Sequence, residues 1–313
     1  KNLTTETATD ASYTLDGHRF ALSRSLDAAP GAEYGNWRIP ALDMRLTTDQ
    51  PGTTASGAIA PWINGARVWL QAPDSLSLPE AAQNALSFTL GTTSESLGTE
   101  AGAPRVWHPM FSGNQGWTLE AHSDQDDAPE MLLRQGHNLY SQITGLPWAP
   151  SSYTLIAPDA TRYALDAGGK VTGVSFADGA QWLVSNAGIA AVSADATTRV
   201  DFIRDSQGRL SRVTGPGDSA NSDAKSIVYR YDDQGRLILA RTLNAADFGT
   251  PYGYDAAGKP FTDTITANLG AAVDWSASSA SNQWSGTLQA GQTTTLAFAV
   301  RASELASAVK VPG

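Results

Sequence analysis

The acidic residues of this chain are the first candidates for chemistry, and one short segment concentrates them. Residues 124–130 read DQDDAPE, which places carboxylates at the density found in calcium-binding loops. Asp124, Asp126 and Asp127 are therefore candidate metal ligands. The segment lacks the sixth-position glycine and the spaced glutamate of an EF-hand loop, so a solvated hairpin loop is the better interpretation.

Other patterns of catalytic or metal-binding residues are not found in the sequence. The four histidines, at positions 18, 108, 122 and 137, have no paired spacing that suits zinc. The chain contains no cysteine, which excludes disulfides, thiol chemistry and cysteine-ligated metals. It also contains no Gly-x-Ser-x-Gly elbow and no glycine-rich phosphate loop. We therefore predict a protein that is not an enzyme and that needs no cofactor.

Tryptophan is the residue type that could bind a ligand without catalysis. Six of the nine tryptophans lie in the first 150 residues: Trp37, Trp62, Trp69, Trp107, Trp117 and Trp148. Trp62 and Trp148 each follow a proline and are expected in loops, where an exposed ring could stack on a sugar. The other interpretation is a place in the core, which Trp69 and Trp117 favour because they alternate with polar neighbours.

A recurring pattern between residues 163 and 259 predicts how the chain is built. Five times, an aromatic residue is followed three positions later by Asp or Ser, and three positions after that by Gly. The paired residues are Asp166 and Gly169, Ser185 and Gly188, Asp205 and Gly208, Asp232 and Gly235, and Asp255 and Gly258. The Asp or Ser positions are 19, 20, 27 and 23 residues apart, which is typical of an array of similar supersecondary units.

Each copy of the pattern predicts a β-hairpin corner. Asp or Ser at the first position of a turn can accept hydrogen bonds from backbone amides ahead of it, and Gly three residues later tolerates a positive φ. Residues 227–232 alternate apolar and polar side chains, as a half-buried strand does. A base follows the glycine in four copies: Lys170, Arg209, Arg236 and Lys259. We interpret this base as a solvated strand charge that discourages edge-to-edge pairing.

The pattern resembles the YD repeats of bacterial RHS proteins and of the related toxin-complex and teneurin families. Residues 229–237, YRYDDQGRL, are close to the central motif of that family, and residues 202–210 match it nearly as well. The resemblance covers about residues 151–262 and implies an antiparallel hairpin-repeat sheet. In long members the sheet spirals into a shell that can enclose a toxic C-terminal domain. Five copies cannot close such a shell, and Pro260 is predicted to end the array because proline cannot donate to a strand ladder.

Composition and charge exclude several classes of partner. The hydrophobic fraction of 41% is ordinary for a globular chain, and no window approaches the roughly 18 apolar residues of a membrane helix. The net charge of −10 argues against nucleic acids and anionic membranes, because phosphate binding needs a cationic surface. Low charge density, no cysteine and many Ser, Thr and Gly residues favour a bacterial secreted or cell-surface location. Because the chain opens at Lys1, we expect a processed form or a segment of a larger protein.

Turn-rich segments divide the chain into three predicted pieces, all of them β-rich. Residues 1–150 form an N-terminal β-domain that ends in the proline-bounded stretch GLPWAP, and residues 151–262 form the repeat sheet. Residues 263–313 form a short β-sandwich-like piece in which Leu296, Phe298 and Val300 alternate with smaller residues. Short helical turns are expected near residues 79–85 and 302–309.

The sequence therefore predicts an all-β, non-catalytic extracellular protein or segment with a structural role. It would be a scaffold, a surface or filament building block, or part of a toxin-carrying shell, and its partners would be copies of itself or a larger parent assembly. The alternative is a carbohydrate-binding adhesin that uses the N-terminal aromatic residues, with a glycan as partner.

Overall fold

The described part of the chain consists of antiparallel β-strands and contains no helix, so the predicted all-β class is confirmed. In the computed structural model, the described residues are 7–27, 33–50, 52–53, 57–71, 86–113, 116–123, 130–192, 198–217, 226–242, 250–254, 258, 260–261, 264–267, 276–278, 283–285 and 296–299. Within these ranges no helix is long and apolar enough to cross a membrane. The helical turns expected near residues 79–85 and 302–309 lie outside them.

The strands are numbered in chain order. The first thirteen are β1 (Thr7–Leu15), β2 (His18–Leu26), β3 (Trp37–Arg38), β4 (Leu46–Thr48), β5 (Arg67–Leu70), β6 (Leu86–Ser96), β7 (Arg105–Gly113), β8 (Thr118–His122), β9 (Leu132–Gln135), β10 (Asn138–Ser141), β11 (Ser152–Ile156), β12 (Arg162–Asp166) and β13 (Val171–Ser175). The others are β14 (Gln181–Ser185), β15 (Gly188–Ala191), β16 (Arg199–Arg204), β17 (Leu210–Thr214), β18 (Ser226–Tyr231), β19 (Leu237–Thr242), β20 (Thr250–Pro251), β21 (Gly253–Tyr254), β22 (Pro260–Phe261), β23 (Thr264–Ala267), β24 (Ser276–Ser278), β25 (Gln283–Ser285) and β26 (Leu296–Ala299).

The chain divides into two compact units, and neither is continuous in sequence. Unit 1 contains Lys1–Ile39, Asn186–Ile189 and Asp195–Gly313, and unit 2 contains Pro40–Ser185 and Ala190–Ala194. These units are defined by spatial contact. The boundaries near residues 150 and 262 are defined along the sequence and stay a prediction.

Unit 1 combines an N-terminal hairpin with a run of antiparallel strands from the repeat region. β1, β2 and β3 form a three-stranded sheet, whose first turn places Asp16 and Gly17 at φ +48° and +80°. β16 to β20 pair in chain order, and Leu210, Val213 and Leu237 are buried on one face of this run. In β17 and β19 the buried residues are three positions apart, because a bulge beside each corner shifts the period-two alternation.

Three short strand pairs complete the described part of unit 1. They are β21 with β22, β23 with β26, and β24 with β25. Pro260 lies in β22, opposite Tyr254, so the fifth copy of the pattern is spanned by a two-stranded pair. The predicted alternation at Leu296 and Phe298 lies in β26, and Val300 is outside the described residues.

Unit 2 contains two sheets. One has the order β10-β9-β7-β6-β5-β4, with Val68, Leu70, Leu86 and Phe88 buried in its core. Its β6–β7 hairpin pairs residues from Phe88 opposite Gly113 to Ser96 opposite Arg105. The other sheet contains the run β8-β11-β12-β13-β14, in which every described neighbouring pair is antiparallel.

Candidate functional site: repeat corners and the polar cluster of unit 1

The corner at Asp205 has the geometry of a short β-hairpin loop. The Asp205 N–H donates to the Arg209 carbonyl at 2.8 Å, and the Gly208 N–H donates to the Asp205 carbonyl at 3.0 Å. The Oδ1 atom of Asp205 accepts from the backbone N–H groups of Gln207 and Arg209 at 2.9 and 3.0 Å. Gly208 has a φ of +82°, and the register of the flanking strands shifts by a bulge. A turn followed by a left-handed glycine and a bulge joins β16 to β17.

Two other corners repeat this arrangement. Asp232 Oδ1 accepts from the N–H groups of Gln234 and Arg236 at 3.1 and 2.8 Å. Asp166 Oδ1 accepts from those of Gly168 and Lys170, both at 2.9 Å. The five pattern glycines, Gly169, Gly188, Gly208, Gly235 and Gly258, have φ values from +77° to +137°. Ser185 is the last residue of β14, and Asp255 lies outside the described residues.

The base after the glycine is not a solvated charge at Arg209 or Arg236, so that interpretation is wrong for these two residues. Arg209 Nε and Nη2 lie 2.8 and 2.7 Å from Asp205 Oδ2. Arg236 makes the same pair with Asp232 Oδ2, with both distances 2.8 Å. The two arginine side chains are 16% and 28% exposed. The carboxylate that organises each turn therefore also holds its base against the sheet.

Each of these arginines also contacts a tyrosine from the following copy of the pattern. The guanidinium carbon of Arg209 lies 4.2 Å from the ring centroid of Tyr231, and that of Arg236 lies 4.7 Å from the ring of Tyr254. Stacking of a cation on an aromatic face is favourable, and partial burial strengthens it. We call each set an Asp-Arg-Tyr link; the two links are Asp205, Arg209 and Tyr231, and Asp232, Arg236 and Tyr254.

The tyrosine hydroxyl groups of the links donate back to the previous corner. The Tyr231 hydroxyl donates to the Leu210 carbonyl at 2.5 Å, and the Tyr254 hydroxyl donates to the Leu237 carbonyl at 2.6 Å. Burial raises the pKa of Tyr254 to about 12 and raises that of Tyr231 well above its ordinary value. Both hydroxyls therefore keep the proton that they donate.

The carboxylate of Asp205 is held in its charged form. Burial raises its pKa, but hydrogen bonds from the Arg209 side chain and from the backbone of Arg209 and Gln207 outweigh this effect and lower the pKa below the ordinary value. Stabilisation of a carboxylate by several donors is the usual cause of such a shift.

Residues 33–37 of unit 1 accept hydrogen bonds from the backbone N–H groups of residues that follow two of the corners. The Leu210 N–H donates to the Glu33 carbonyl at 2.8 Å, and the Leu237 N–H donates to Asn36 Oδ1 at 3.0 Å. Gly35, at φ +69°, approaches the Gly235 carbonyl so closely that a Cβ would lie 1.9 Å from its oxygen. These bonds satisfy the two leucine amides, which would otherwise cost free energy.

An equivalent arrangement is found within unit 2. The Val171 N–H donates to the Leu42 carbonyl at 2.9 Å, and the N–H groups of Met44 and Leu46 donate to the carbonyls of Gly169 and Gly168 at 2.9 and 2.7 Å. A Cβ on Gly169 would lie 2.4 Å from the Leu46 nitrogen. Glycine is therefore needed at this position both for its φ of +90° and for the close approach of another chain segment.

A buried ion pair within the N-terminal hairpin is hydrogen-bonded to two tyrosines of the repeat region of unit 1. Arg24 is 1% exposed, and its Nε and Nη2 atoms donate to the two Asp10 oxygens at 2.7 and 3.0 Å. Arg24 Nη2 also donates to the Tyr252 hydroxyl at 2.6 Å, and the Tyr229 hydroxyl donates to Asp10 Oδ2 at 2.9 Å. We call these four residues the polar cluster.

Aromatic rings enclose the arginine of the polar cluster. The guanidinium carbon of Arg24 lies 4.7 Å from the Trp37 ring and 4.9 Å from the Tyr252 ring. Burial lowers the pKa of Arg24, but the charge of Asp10 and the interactions with Asp10 and Tyr252 together outweigh this and raise the pKa above its ordinary value. Nη1 of Arg24 has no hydrogen-bond partner among the described residues. Burial of a charge is tolerated in this cluster because the ion pair and the ring faces replace water.

Trp62 and Trp148 pack against each other in unit 2 and are not exposed. They are 8% and 1% exposed, and their ring centroids lie 5.9 Å apart in an edge-to-face arrangement. The Leu139 N–H donates to the Trp62 carbonyl and the Trp148 N–H to the Leu139 carbonyl, which ties both residues to β10. Sugar stacking requires an exposed ring, and neither ring is exposed. The backbone hydrogen bonds to β10 hold both residues in the core instead.

The acidic candidates lie outside the described residues, since 124–129 are not described. Glu130, which follows them, accepts hydrogen bonds from the Ser123 N–H and, at 3.1 Å, from Trp148 Nε1. Among the residues that the structure describes, no group of three or more His, Asp and Glu side chains is arranged to hold a metal ion.

Two further corners do not follow the sequence pattern because their aspartate comes later in the turn. Thr161 and Ala180 donate their N–H groups to Asp159 Oδ1 and Asp178 Oδ1 at 3.0 and 3.1 Å. The left-handed positions that follow are Ala160, at φ +67°, and Gly179, at φ +95°. The dipeptide Asp178-Gly179 is a turn signal visible in the sequence. Neither the polar cluster nor the bonds of residues 33–37 have a local sequence signal.

The fold and the corners define an all-β protein built from antiparallel sheets. No protein-family model matches the chain, and no curated protein matches its sequence significantly.

Proposed function

We propose that this chain is a non-catalytic structural segment of a bacterial extracellular protein of the YD-repeat, RHS-like kind. In this role it is a scaffold that associates with copies of itself or with a larger parent assembly. The observation that carries the proposal is the internal use of the repeat residues. Both Asp-Arg-Tyr links direct their charged and aromatic groups at each other.

The exposures of the link residues support a structural role over a ligand-binding one. The carboxylates of Asp205 and Asp232 are 23% and 4% exposed, and each already bonds two backbone amides and one guanidinium. A carboxylate bonded in this way has little capacity left for a ligand. Its bonds contribute instead to holding neighbouring hairpins together.

The adhesin alternative receives no support from the two tryptophans that suggested it. A sugar ring stacks on an accessible aromatic face, and the faces of Trp62 and Trp148 contact each other and the core. Glycan binding is therefore retained only as the outcome that would contradict a purely structural role.

The test measures assembly and glycan binding on the same purified chain. Light scattering and electron microscopy over a range of concentrations are expected to give particles larger than one chain, and a glycan array is expected to give no signal. A chain that stays monomeric at every concentration and binds a glycan saturably would overturn the structural proposal. If the array gives a glycan signal, Trp107→Ala tests whether this tryptophan is responsible, because its ring is half-buried and lies outside the core.

A further inference from the structure

The N-terminal segment of unit 1 is held by non-covalent contacts to strands that follow it much later in the chain. The chain leaves unit 1 after Ile39 and returns to it at Asn186. We call the described residues 7–27 and 33–39 the donor segment, and we call β16 to β20 with Tyr252–Tyr254 the receptor strands. All described contacts between them lie within unit 1.

Polar, directional contacts hold the donor segment in place. Glu33 and Arg204 form an ion pair whose side chains are 19% and 21% exposed. Asn36 Oδ1 accepts a hydrogen bond from the Leu237 N–H at 3.0 Å, and the oxygen of the Tyr254 hydroxyl lies 3.2 Å from the same atom. Such contacts specify one register, because hydrogen bonds weaken steeply when the distance or the angle between the two groups changes.

The buried contacts of the same segment are equally specific. Arg24 and Asp10 bond the hydroxyls of Tyr252 and Tyr229, and the ring of Tyr34 packs edge-to-face on Tyr229 with centroids 4.6 Å apart. Gly35 lies directly against the Gly235 carbonyl. The receptor strands are therefore complementary to the donor segment of this chain in hydrogen bonds, ring packing and backbone approach, and they select this segment over an unrelated one.

We propose that the donor segment also binds the receptor strands of a second copy of this chain, so that copies are linked by exchange of residues 7–39. The inference rests on the proposed structural function and names its partner. An exchanged interface contains the same residue pairs as the intramolecular one. The free energies of the two forms therefore differ only through the conformation of the hinge and the cost of bringing two chains together. Domain exchange of this kind is a low-cost route to assembly.

The hinge of the donor segment is compatible with exchange. Pro40 follows Ile39 at the point where the chain leaves unit 1. A proline disfavours the helical region for the residue before it and so keeps Ile39 in an extended conformation. Reciprocal exchange gives a closed dimer, and one-way exchange gives a head-to-tail chain of copies.

The test uses two full-length variants with opposite charge reversals at the Glu33–Arg204 pair. Glu33→Arg and Arg204→Glu each place like charges together within one chain, whereas a donor segment from one variant on the receptor of the other restores an ion pair. One variant is isotopically labelled, and native mass spectrometry counts mixed species. We compare the amount of mixed two-chain species in the mixture with the amount of two-chain species in each variant alone. We expect the first amount to be about tenfold larger.

The double variant Glu33→Arg/Arg204→Glu is the matched control. It restores the ion pair within each chain and is expected to return to the wild-type content of two-chain species. Thermal unfolding of each variant checks that it folds. If a single variant does not fold, labelled and unlabelled wild-type chains are mixed over a range of concentrations, and mixed two-chain species are expected to appear.

Two results would overturn the inference. One is the absence of mixed species both in the charge-reversed mixture and in the wild-type mixture. The other is the same amount of two-chain species in the wild type, in each variant and in the mixture, because association would then use another surface. If microscopy still shows assemblies, the exchange fails while the structural function stands, so the two failures are distinguishable.

Discussion

The guanidinium carbon of Arg209 lies 4.2 Å from the ring centroid of Tyr231, which belongs to the next copy of the pattern along the chain. The same arginine is paired with the carboxylate that organises its own turn. The Arg209 side chain therefore contacts both the aspartate of its own turn and the tyrosine of the neighbouring hairpin. This relationship makes the repeat residues interdependent, and it leads to predictions about stability.

Loss of the link arginine should destabilise the protein more than loss of a surface arginine. Arg209→Gln removes the ion pair with Asp205 and the stacking on Tyr231, and we expect the free energy of unfolding to fall by about 1–2 kcal/mol. The matched control is Arg199→Gln, because Arg199 pairs with Asp201 but is 58% exposed. Its expected effect is below about 0.5 kcal/mol. Equal losses in urea unfolding would contradict the link.

A side chain with a Cβ at a corner glycine should strain the backbone. Gly208 has φ +82°, and a Cβ added there would meet no atom within 4 Å, so Gly208→Val tests conformation without a clash. We expect a loss of about 1–2 kcal/mol, and at least the same loss for Gly235→Val at φ +78°, where a Cβ would also lie 3.3 Å from Arg209 Nη1. Gly52→Val is the control, since Gly52 has equal space and no positive φ. Unchanged stability of Gly208→Val would contradict the corner assignment.

Gly35 should be the more sensitive of two glycines that share a positive φ. A Cβ at Gly35 would lie 1.9 Å from the Gly235 oxygen, whereas a Cβ at Gly17 would meet no atom within 4 Å. We expect Gly35→Ala to cost about 2–4 kcal/mol, because strain and overpacking add, and Gly17→Ala to cost about 1–2 kcal/mol. Thermal unfolding of the two variants gives the comparison. A cost at Gly35 no larger than that at Gly17 would show that residues 33–37 do not lie against the corner.

The stability contributed by Asp205 should be lost in acid. The pKa of Asp205 is lower in the folded chain than its ordinary value, so the folded state binds the proton less readily than the unfolded state. Its contribution is present above the ordinary aspartate pKa of about 4 and is lost as pH falls through the lower folded pKa. Asp205→Asn should therefore lose less stability between pH 7 and pH 3 than the wild type does. A parallel pH dependence of the two proteins in urea unfolding would exclude this contribution.

Breaking the buried ion pair should cost more than replacing it. Asp10→Asn leaves Arg24 buried with its charge uncompensated, and we expect a loss of about 3–5 kcal/mol. The double variant Asp10→Leu/Arg24→Met removes both charges and should be less destabilised than the single one. A double-mutant cycle of Asp10→Leu, Arg24→Met and the double variant, measured by chemical denaturation, gives the coupling. Additive effects of the two substitutions would mean that the residues do not act as a pair.

Elements whose interactions are local in sequence were well predicted. The strand expected from the alternation at residues 227–232 corresponds to β18, and the corners expected at Asp166, Asp205 and Asp232 are turns in which the aspartate accepts backbone hydrogen bonds. Turn residues bond amides two to four positions ahead, as Asp205 and Asp232 do, so their pattern can be read from a short window. The corner at Asp159 escapes that pattern because its aspartate is the third residue of the turn and because Ala160, and not a glycine, occupies the left-handed position.

The sequence alone determined the all-β class and the positions of the corners at Asp166, Asp205 and Asp232, because alternation and turn chemistry act over a few residues. Only the tertiary structure decided what the corner side chains contact. Arg209 and Tyr231 are far apart in the sequence, as are Asn36 and Leu237, and no local preference selects such partners. Burial of Trp62 and Trp148 was likewise decided by packing, since a proline neighbour predicts a loop but not whether the loop faces the core. Long-range contacts depend on the whole fold, and they give these residues their roles.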